Sequence, residues 1–430
     1  MASIDQLSRT IALFKADFGI SSDDVILRAL RSPRITIVGS ERVVNSFAGQ
    51  VCISTAAMLM ARTGHQVFVD TPDAHLVGAQ PPLAGTWFHQ ALTDVGEKLI
   101  EGVPILIGSP PASDIVFYLG GDLPWVSSPA ARSVMIGASD WAAQIGEWPQ
   151  TQSWSAQNWA FGAMAAAVLM AAEAAKVSAR ALMQYSQYAE GLRPQFQDSI
   201  KAKLELAPAS TPLSYDIGQL DLISAGAVSN GFLYALLRVP GIAGAIRTFD
   251  KDVSEGPNLN RNMLLTRDWL DHKKVALFHS FQTPLLNMFP VALHFPLDGS
   301  VRLADRVAVG VDDIPARWAL AKQSPYWMGV GATSHMSSMA SVHYGHAACC
   351  GCLHPKDEAM DGPIPTIAFS SFLSGLMVAA DLMRELGCRE AALHSKQRWL
   401  TALHPDNMPW KVAPNPDCPA ECAVSRVMLK

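Results

Sequence analysis

The residues best able to do chemistry lie close together in the stretch SAGAVSNGFLYALLRVPGIAGAIRTFDKDVSEGPNLNRN (224–262). Gly226 follows an apolar run and Gly231 opens another, so the pattern reads strand, tight turn, helix. Missing side chains there let the backbone approach a phosphate, and a helix N-terminus favours its negative charge. Asp250 closes the next apolar run, where an acid can hydrogen-bond the hydroxyls of a ribose. Asp252, Asn258, Arg261 and Asn262 follow in one short segment. An ordinary tight turn flanked by solvated charges is the plainer alternative. Only two glycines are well placed, so the turn by itself leaves both readings open.

A second group of chemically competent residues is made of thiols. The chain has seven cysteines, and all but Cys52 lie beyond residue 348. ACCGCLHP (348–355) contains Cys349 and Cys352, and DCPAEC (417–422) contains Cys418 and Cys422. Two short-spaced pairs of this kind can close a tetrahedral zinc site and tie the C-terminal tail back to the domain before it. Cys350 is left over, although a register slip of one residue would exchange it with a ligand. A metal site and His343, His346 and His354 nearby would lower the pKa of such a thiol. Cys388 and Cys52 read as structural.

The elements that must position these residues come in two similar sets. RITIVG (34–39), a helix over 50–63 and HQVFVD (65–70) form a parallel βαβ unit. DIVFYLGG (114–121) and RSVMIGASD (132–140) add strands, and a long helix runs from about Trp154 to Gln187. Residues 188–214 are polar and carry Pro194, Pro208 and Pro212, which places a boundary there. The pattern then restarts with strands at 220–226, 244–250 and 306–313 and a helix at 229–239. The expected domains are 1–200 and 201–430, two copies of one α/β architecture. The 430 residues are 49% hydrophobic and 17% charged, with a net charge of −5. Such a chain buries a large core, and its charge points to no nucleic acid and no acidic membrane surface. The start lacks a signal-peptide pattern, and the alanine-rich run from Trp159 to Val177 reads as a buried helix. A cytoplasmic protein is expected.

DKDVSEGPNLNRN (250–262) resembles the signature of the ThiF/ubiquitin-activating superfamily, which runs Gly-rich turn, strand, Asp-x-Asp, then Asn-Leu-x-Arg-Gln. Asn262 stands where that family has Gln, and Ser224 or Ala225 where it has its first glycine. Lys274 falls thirteen residues after Arg261, at the spacing of a phosphate-contacting lysine. VDDIPARW (311–318) resembles the Asp-Asn-x-x-x-Arg element, with Asp313 in place of Asn. The resemblance implies that Arg261 and Lys274 neutralise phosphate charge and that Asp312 holds Mg²⁺. It further implies that Asp250 binds ribose, with Asn258 positioning phosphate or metal beside the nucleotide-binding residues Gly226, Gly231, Asp252 and Asn262. Zinc on Cys349, Cys352, Cys418 and Cys422 and a thioester on Cys350 are also implied.

Residues 34–70 imitate the same unit without the Asn-Leu-x-Arg stretch, and so resemble the inactive half of two-part activating enzymes. In those enzymes an arginine from the inactive half reaches the active site; Arg9, in LSRTIAL, is a candidate match, with an exposed helical arginine as the plainer reading. The cysteine pair followed by the apolar helix of 354–386 resembles activating enzymes of bacterial ubiquitin-like conjugation operons, including the Bil antiphage systems. The expected fold class is thus α/β, with two tandem Rossmann-like ThiF-type adenylation domains forming a pseudo-dimer. The implied function is ATP-dependent adenylation of a ubiquitin-like protein, thioester transfer, and delivery to a conjugating-enzyme-like protein. Sulfur-carrier adenylylation for cofactor synthesis and a non-catalytic nucleotide-binding scaffold are the alternatives. A nicotinamide oxidoreductase would leave Arg261, Lys274 and Asp312 unexplained.

Overall fold

Both halves of the computed structural model lay down their strands in the same order. The residues described are 2–120, 130–147, 150, 152–206, 215–296, 298, 300–357, 364–387, 394–405 and 409–428. The first sheet contains β1 (Arg34–Gly39), β2 (Gln66–Asp70), β3 (Ile105–Ile107), β4 (Ile115–Leu119), β5 (Ser133–Ala138), β6 (Ala142–Glu147) and β7 (Lys201–Glu205), in the order β3-β2-β1-β4-β5-β6-β7. The second contains β8 (Asp216–Ile223), β9 (Ala243–Phe249), β10 (Leu286–Val291), β11 (Arg306–Val309), β12 (Trp327–Ser334), β13 (Ser337–Tyr344), β14 (Lys396–Thr401) and β15 (Trp410–Lys411). Its order is β10-β9-β8-β11-β12-β13-β14-β15. Five strands of each sheet pair in parallel, and the remainder continue antiparallel from β5 and from β12. The chain is therefore two tandem Rossmann-like α/β units arranged as a pseudo-dimer, as the sequence pattern predicts.

Local sequence explains the elements that matter for the site. β1 is buried from Ile35 to Gly39, as a parallel strand covered on both faces must be, so it reads as a continuous apolar run. The helix after it, α2 (Phe47–Thr63), starts where the Ser46 side chain accepts the Gly49 amide and stops at Gly64 in the left-handed region. The other helices that matter are α1 (Ser8–Phe18), α3 (Phe161–Met183), α4 (Ala227–Leu236), α5 (Ile314–Lys322) and α6 (Ala368–Gly387). α2 packs on α3, α4 packs on α6, and α6 also meets α2 and α3. These faces merge into one apolar core that runs through both halves. α3 is long and apolar enough to cross a membrane, but 94% of its most apolar stretch is buried in that core.

Two expectations shift. Lys201–Glu205 pairs with β6, so the first sheet runs to Glu205 rather than stopping at residue 200. Gly231 does not lie at a turn: α4 already begins at Ala227, and a Cβ at Gly231 would press on the Phe372 backbone at 3.0 Å. Its partner Gly375 has even less room: a Cβ there would fall 2.2 Å from the Val228 carbonyl oxygen. These two glycines let α4 and α6 touch backbone to backbone, which corrects the cofactor-binding role expected of Gly231.

Each long helix also buries an acid among cations. Glu173 of α3 meets Arg132 and Lys176. Asp381 of α6 meets Arg398 at 2.6 Å, Lys396 at 2.7 Å and Arg384 at 3.4 Å. Burial alone would raise the Asp381 carboxyl, but Arg398, Lys396 and Arg384 outweigh it and hold it down to about 2. Its folded pKa lies below the ordinary carboxylate value, so its stabilisation is complete above about pH 4 and fades as pH falls towards 2. Asp381→Asn leaves three cations without their acid and is expected to cost about 3–5 kcal/mol at neutral pH. Urea denaturation followed by circular dichroism should show that deficit at pH 7, narrowing below pH 4. An unchanged midpoint at pH 7 would exclude it.

Candidate nucleotide-binding cleft and cysteine cluster

The expected nucleotide residues gather at the C-terminal edge of the second sheet, where β8, β9 and β11 end. There a cleft of about 600 Å³ is lined by Ser224, Gly226, Asp250, Asp252, Arg261 and Asp312. Ser224 sits at φ 83°, a conformation that suits glycine, which explains why a glycine is expected at this turn. Its hydroxyl accepts the Gly226 amide at 3.0 Å, and Gly226 is the N-cap of α4. Asp250 accepts the Ala225 amide at 2.7 Å and the Asp252 amide at 2.8 Å. It therefore pins the turn and the following loop together while lining the cleft.

Arg261 lies mostly within the protein and turns its remainder to the cleft, with Nη1 donating to the Pro257 carbonyl at 2.8 Å. Burial, then the like charge of Arg9, pushes its guanidinium down to about 10, and Asp312 opposes both. It stays charged at neutral pH. Arg9 comes from α1 in the first half and lines the same cleft. Burial lowers its pKa, while Glu255 and Asp312 pull it back up. Two arginines from separate halves thus flank one carboxylate in a partly desolvated recess. Mutual repulsion of this kind is relieved by a bound anion.

Lys274 pairs with Asp252 at 3.0 Å. Burial would raise the Asp252 carboxyl, but the hydrogen bond and charge of Lys274 hold it below its ordinary value. Lys274 therefore stands at the rim, linked to the cleft through Asp252. Asn258 departs from its expected role. Its side chain accepts the Glu255 amide at 3.0 Å, while the Glu255 side chain caps its own amide. It braces the loop and does not line the cleft. Asn262 is likewise buried beside the cleft, with its Oδ1 lacking a hydrogen-bond partner. Asp313, at the position of the family's Asn, caps α5 by accepting the Ala316 amide at 2.6 Å. Sequence reasoning missed Asn230. Its amide nitrogen donates to the Ala225 and Gly226 carbonyls, both at 3.0 Å, and its oxygen accepts the Leu264 amide at 3.3 Å. Its place one turn into α4 was the available signal.

The four expected ligand cysteines converge. Their sulfurs all lie within 4.8 Å of one another, with Cys349–Cys418 at 3.4 Å and Cys352–Cys422 at 3.5 Å. Sulfurs placed about 2.3 Å from one zinc stand about 3.8 Å apart, so the cluster has the size of a four-thiolate site. All four are buried among apolar residues beside α5. Cys350 points elsewhere. Its thiol is buried and donates to the Arg317 carbonyl at 3.2 Å, outside the cleft lining. Burial pushes it up to about 12, the reverse of the activation expected from nearby histidines. His343 cannot supply the missing charge, because burial holds it down to about 4.

The duplicated sheets define a tandem Rossmann-like pseudo-dimer, with the cleft described above in its second half. Within it, residues 34–185 match the family model described as the BilD N-terminal domain. That segment runs from the first residue of β1 to just past the end of α3, so the Bil resemblance read from the sequence layout is met in the first half. The chain is 24% identical over 347 residues to the "uncharacterized protein y4jF" of Sinorhizobium fredii (strain NBRC 101917 / NGR234). The match covers 77% of this chain and 63% of that relative's length. Among solved structures, E. coli MccB aligns with 15% identity and a TM-score of 0.40, over 48% of this chain and 65% of MccB. The ATP-bound E. coli MccB structure aligns with 15% identity and a TM-score of 0.41, over 68% of this chain and 97% of MccB.

Two outcomes follow from the thiols. Protein purified without chelator should contain about one zinc per chain by elemental analysis. Cys418→Ser should lower that content and speed proteolysis near residue 415; metal-free native protein would exclude the site. Cys350→Ala should leave any reducible adduct with a carboxylate-activated partner intact. Loss of the adduct would restore Cys350 as the acceptor.

Proposed function

We propose that this chain adenylates the C-terminal carboxylate of a ubiquitin-like protein with ATP. The observation that carries the reading is the convergence of Arg9 and Arg261, from different halves, on the cleft above the N-terminus of α4. A carboxylate oxygen attacks the α-phosphorus of ATP, the bond from that phosphorus to the bridging oxygen breaks, and pyrophosphate leaves with the electron pair. Both reactants are anionic, so catalysis consists chiefly of positioning and neutralising charge. Arg261 and Arg9 face the phosphates, Lys274 comes free of Asp252 to join them, and Asp250 takes the ribose. Asp312 is the residue suited to hold Mg²⁺, which would neutralise phosphate oxygens. The cleft continues to Thr333 and Thr366, a polar path for the incoming carboxylate.

The ubiquitin-like substrate is supported by the Asp-x-Asp and Asn-Leu-x-Arg segment and by the BilD N-terminal domain match, which also supports a place in antiphage defence. Because Cys350 is buried, we assign the thiol step to a conjugating-enzyme-like partner or to Cys388, which lies outside the described residues.

ATP–pyrophosphate exchange with the ubiquitin-like partner tests the reading. Arg261→Ala should slow exchange at saturating ATP by roughly a hundredfold or more, as for loss of a preorganised donor. Asp250→Ala should mainly raise KM for ATP, with a smaller fall in kcat because the carboxylate also holds the Ala225 and Asp252 amides. Asp312→Ala should abolish exchange, with partial rescue by excess Mg²⁺. Unaltered exchange in both Arg261→Ala and Asp312→Ala would overturn the assignment. ATP binding without any exchange would make the chain a nucleotide-binding scaffold.

A further inference from the structure

Arg62 lies at the C-terminal end of α2, in the first half, and is fully buried. Its guanidinium bonds three carbonyls of the second half: Leu259, Met263 at 3.0 Å and Leu265 at 2.7 Å. Among the described residues no carboxylate pairs with it. Burial pushes it down to about 9, so at neutral pH it remains a cation removed from water. Such a group is costly unless its donors are used; three carbonyl dipoles take Nη1 and Nη2, while Nε is buried without a hydrogen-bond partner among the described residues. Those carbonyls bracket Asn260, Arg261 and Asn262. A second contact comes from α1, where Thr10 Oγ1 accepts the Asn260 amide group at 2.9 Å, one residue from Arg9. The backbone on both sides of Arg261 is therefore held from the other half of the molecule.

The pseudo-two-fold arrangement supplies an internal control. Arg238 follows α4 in the second half and is equally buried. Its Nη2 donates to the Pro81 carbonyl of the first half at 2.9 Å, and its guanidinium lies 3.2 Å from the centre of the Tyr234 ring. Pro81 follows β2 as Leu259–Leu265 follow β9. The two arginines thus make the same exchange in opposite directions. Arg62 grips a segment that carries the phosphate-facing Arg261. Arg238 grips GAQPPLAG (78–85), which carries no cation.

We infer that Arg62 is a positioning residue: it fixes the 259–265 backbone so that Arg261 is presented to the cleft, and the first half thereby sets the rate of the step performed in the second. This rests on the adenylation reading. A fork of five donors reaches three carbonyls, whereas a lysine ammonium in the same place cannot match that geometry.

The test compares Arg62→Lys with Arg238→Lys in the full chain. Arg62→Lys should lower kcat for ATP–pyrophosphate exchange about tenfold or more while KM for ATP changes less than about twofold. Arg238→Lys, which disturbs an equally buried interdomain contact, should leave kcat within about twofold. In an Arg261→Ala background Arg62→Lys should add no further loss, because residues acting as a unit are non-additive. Thr10→Val, a milder change, should lower kcat in the same direction. Hydrogen–deuterium exchange of amides 259–265 in nucleotide-free protein should speed up in Arg62→Lys and not in Arg238→Lys. Equal kcat losses in both lysine variants, additive loss with Arg261→Ala, or unchanged amide protection would overturn the inference. If the unaltered chain shows no pyrophosphate exchange, the adenylation reading fails, and the amide protection alone decides whether Arg62 holds this segment.

Discussion

The constraint on which this molecule depends is that one apolar core serves two sheets. A parallel sheet needs cover on both faces. Here each sheet is covered on its inner side by helices that also press against the helices of the other sheet. α2 and α3 belong to the first half, α4 and α6 to the second, and their buried faces form a single cluster. Neither half can expose that layer to water, since each large apolar side chain left uncovered forfeits about 1.5–3 kcal/mol. The union of the halves is thus part of folding itself.

From that union follows a division of labour between the halves. Both halves carry a strand ending at a turn and a second strand ending in an acid, Asp70 in one and Asp250 in the other. Only the second adds the segment with Arg261 and the short helix that begins at Lys274. The first half contributes what a separate domain could not supply to itself: α1 with Arg9, and the buried contacts that brace the opposite loop. The first half thus supplies side chains to the cleft of the second.

Much of the framework was legible because its physics is local. β1 reads directly from RITIVG, since a strand buried on both faces must be apolar and β-branched. Asp250 reads from its place at a strand end, and the four cysteines read from their spacing. What stayed hidden depends on distant packing. Gly231 could not be told from a phosphate-approach glycine, because both uses require a missing side chain, and only the position of α6 decides between them. Asn258 looks like a ligand residue until the Glu255 amide is seen to occupy its oxygen. Cys350 shares its neighbours' spacing but faces the Arg317 carbonyl, an orientation set by the short helical turn at Cys350–Leu353. Arg62 gave no signal at all, since a cation bonded to backbone carbonyls needs no recognisable partner residue. Lys201–Glu205 was read as linker because an edge strand with one exposed face is polar in sequence.

The cysteine cluster has a topological consequence. Cys349 and Cys352 follow β13, while Cys418 and Cys422 follow β15, so α6, β14 and β15 all lie within the loop that the cluster closes. A metal ion held there would act as a clasp on a long ring of chain. On the chain-entropy view, closing a ring of this size restricts the unfolded ensemble by about 4 kcal/mol, as a cross-link would. The central helix of the second half is then captive: it cannot detach without opening the sheet edge or releasing the ion. Metal occupancy would in this way govern whether the segment from Cys349 to Cys422 melts as one cooperative unit with the sheet or frays separately.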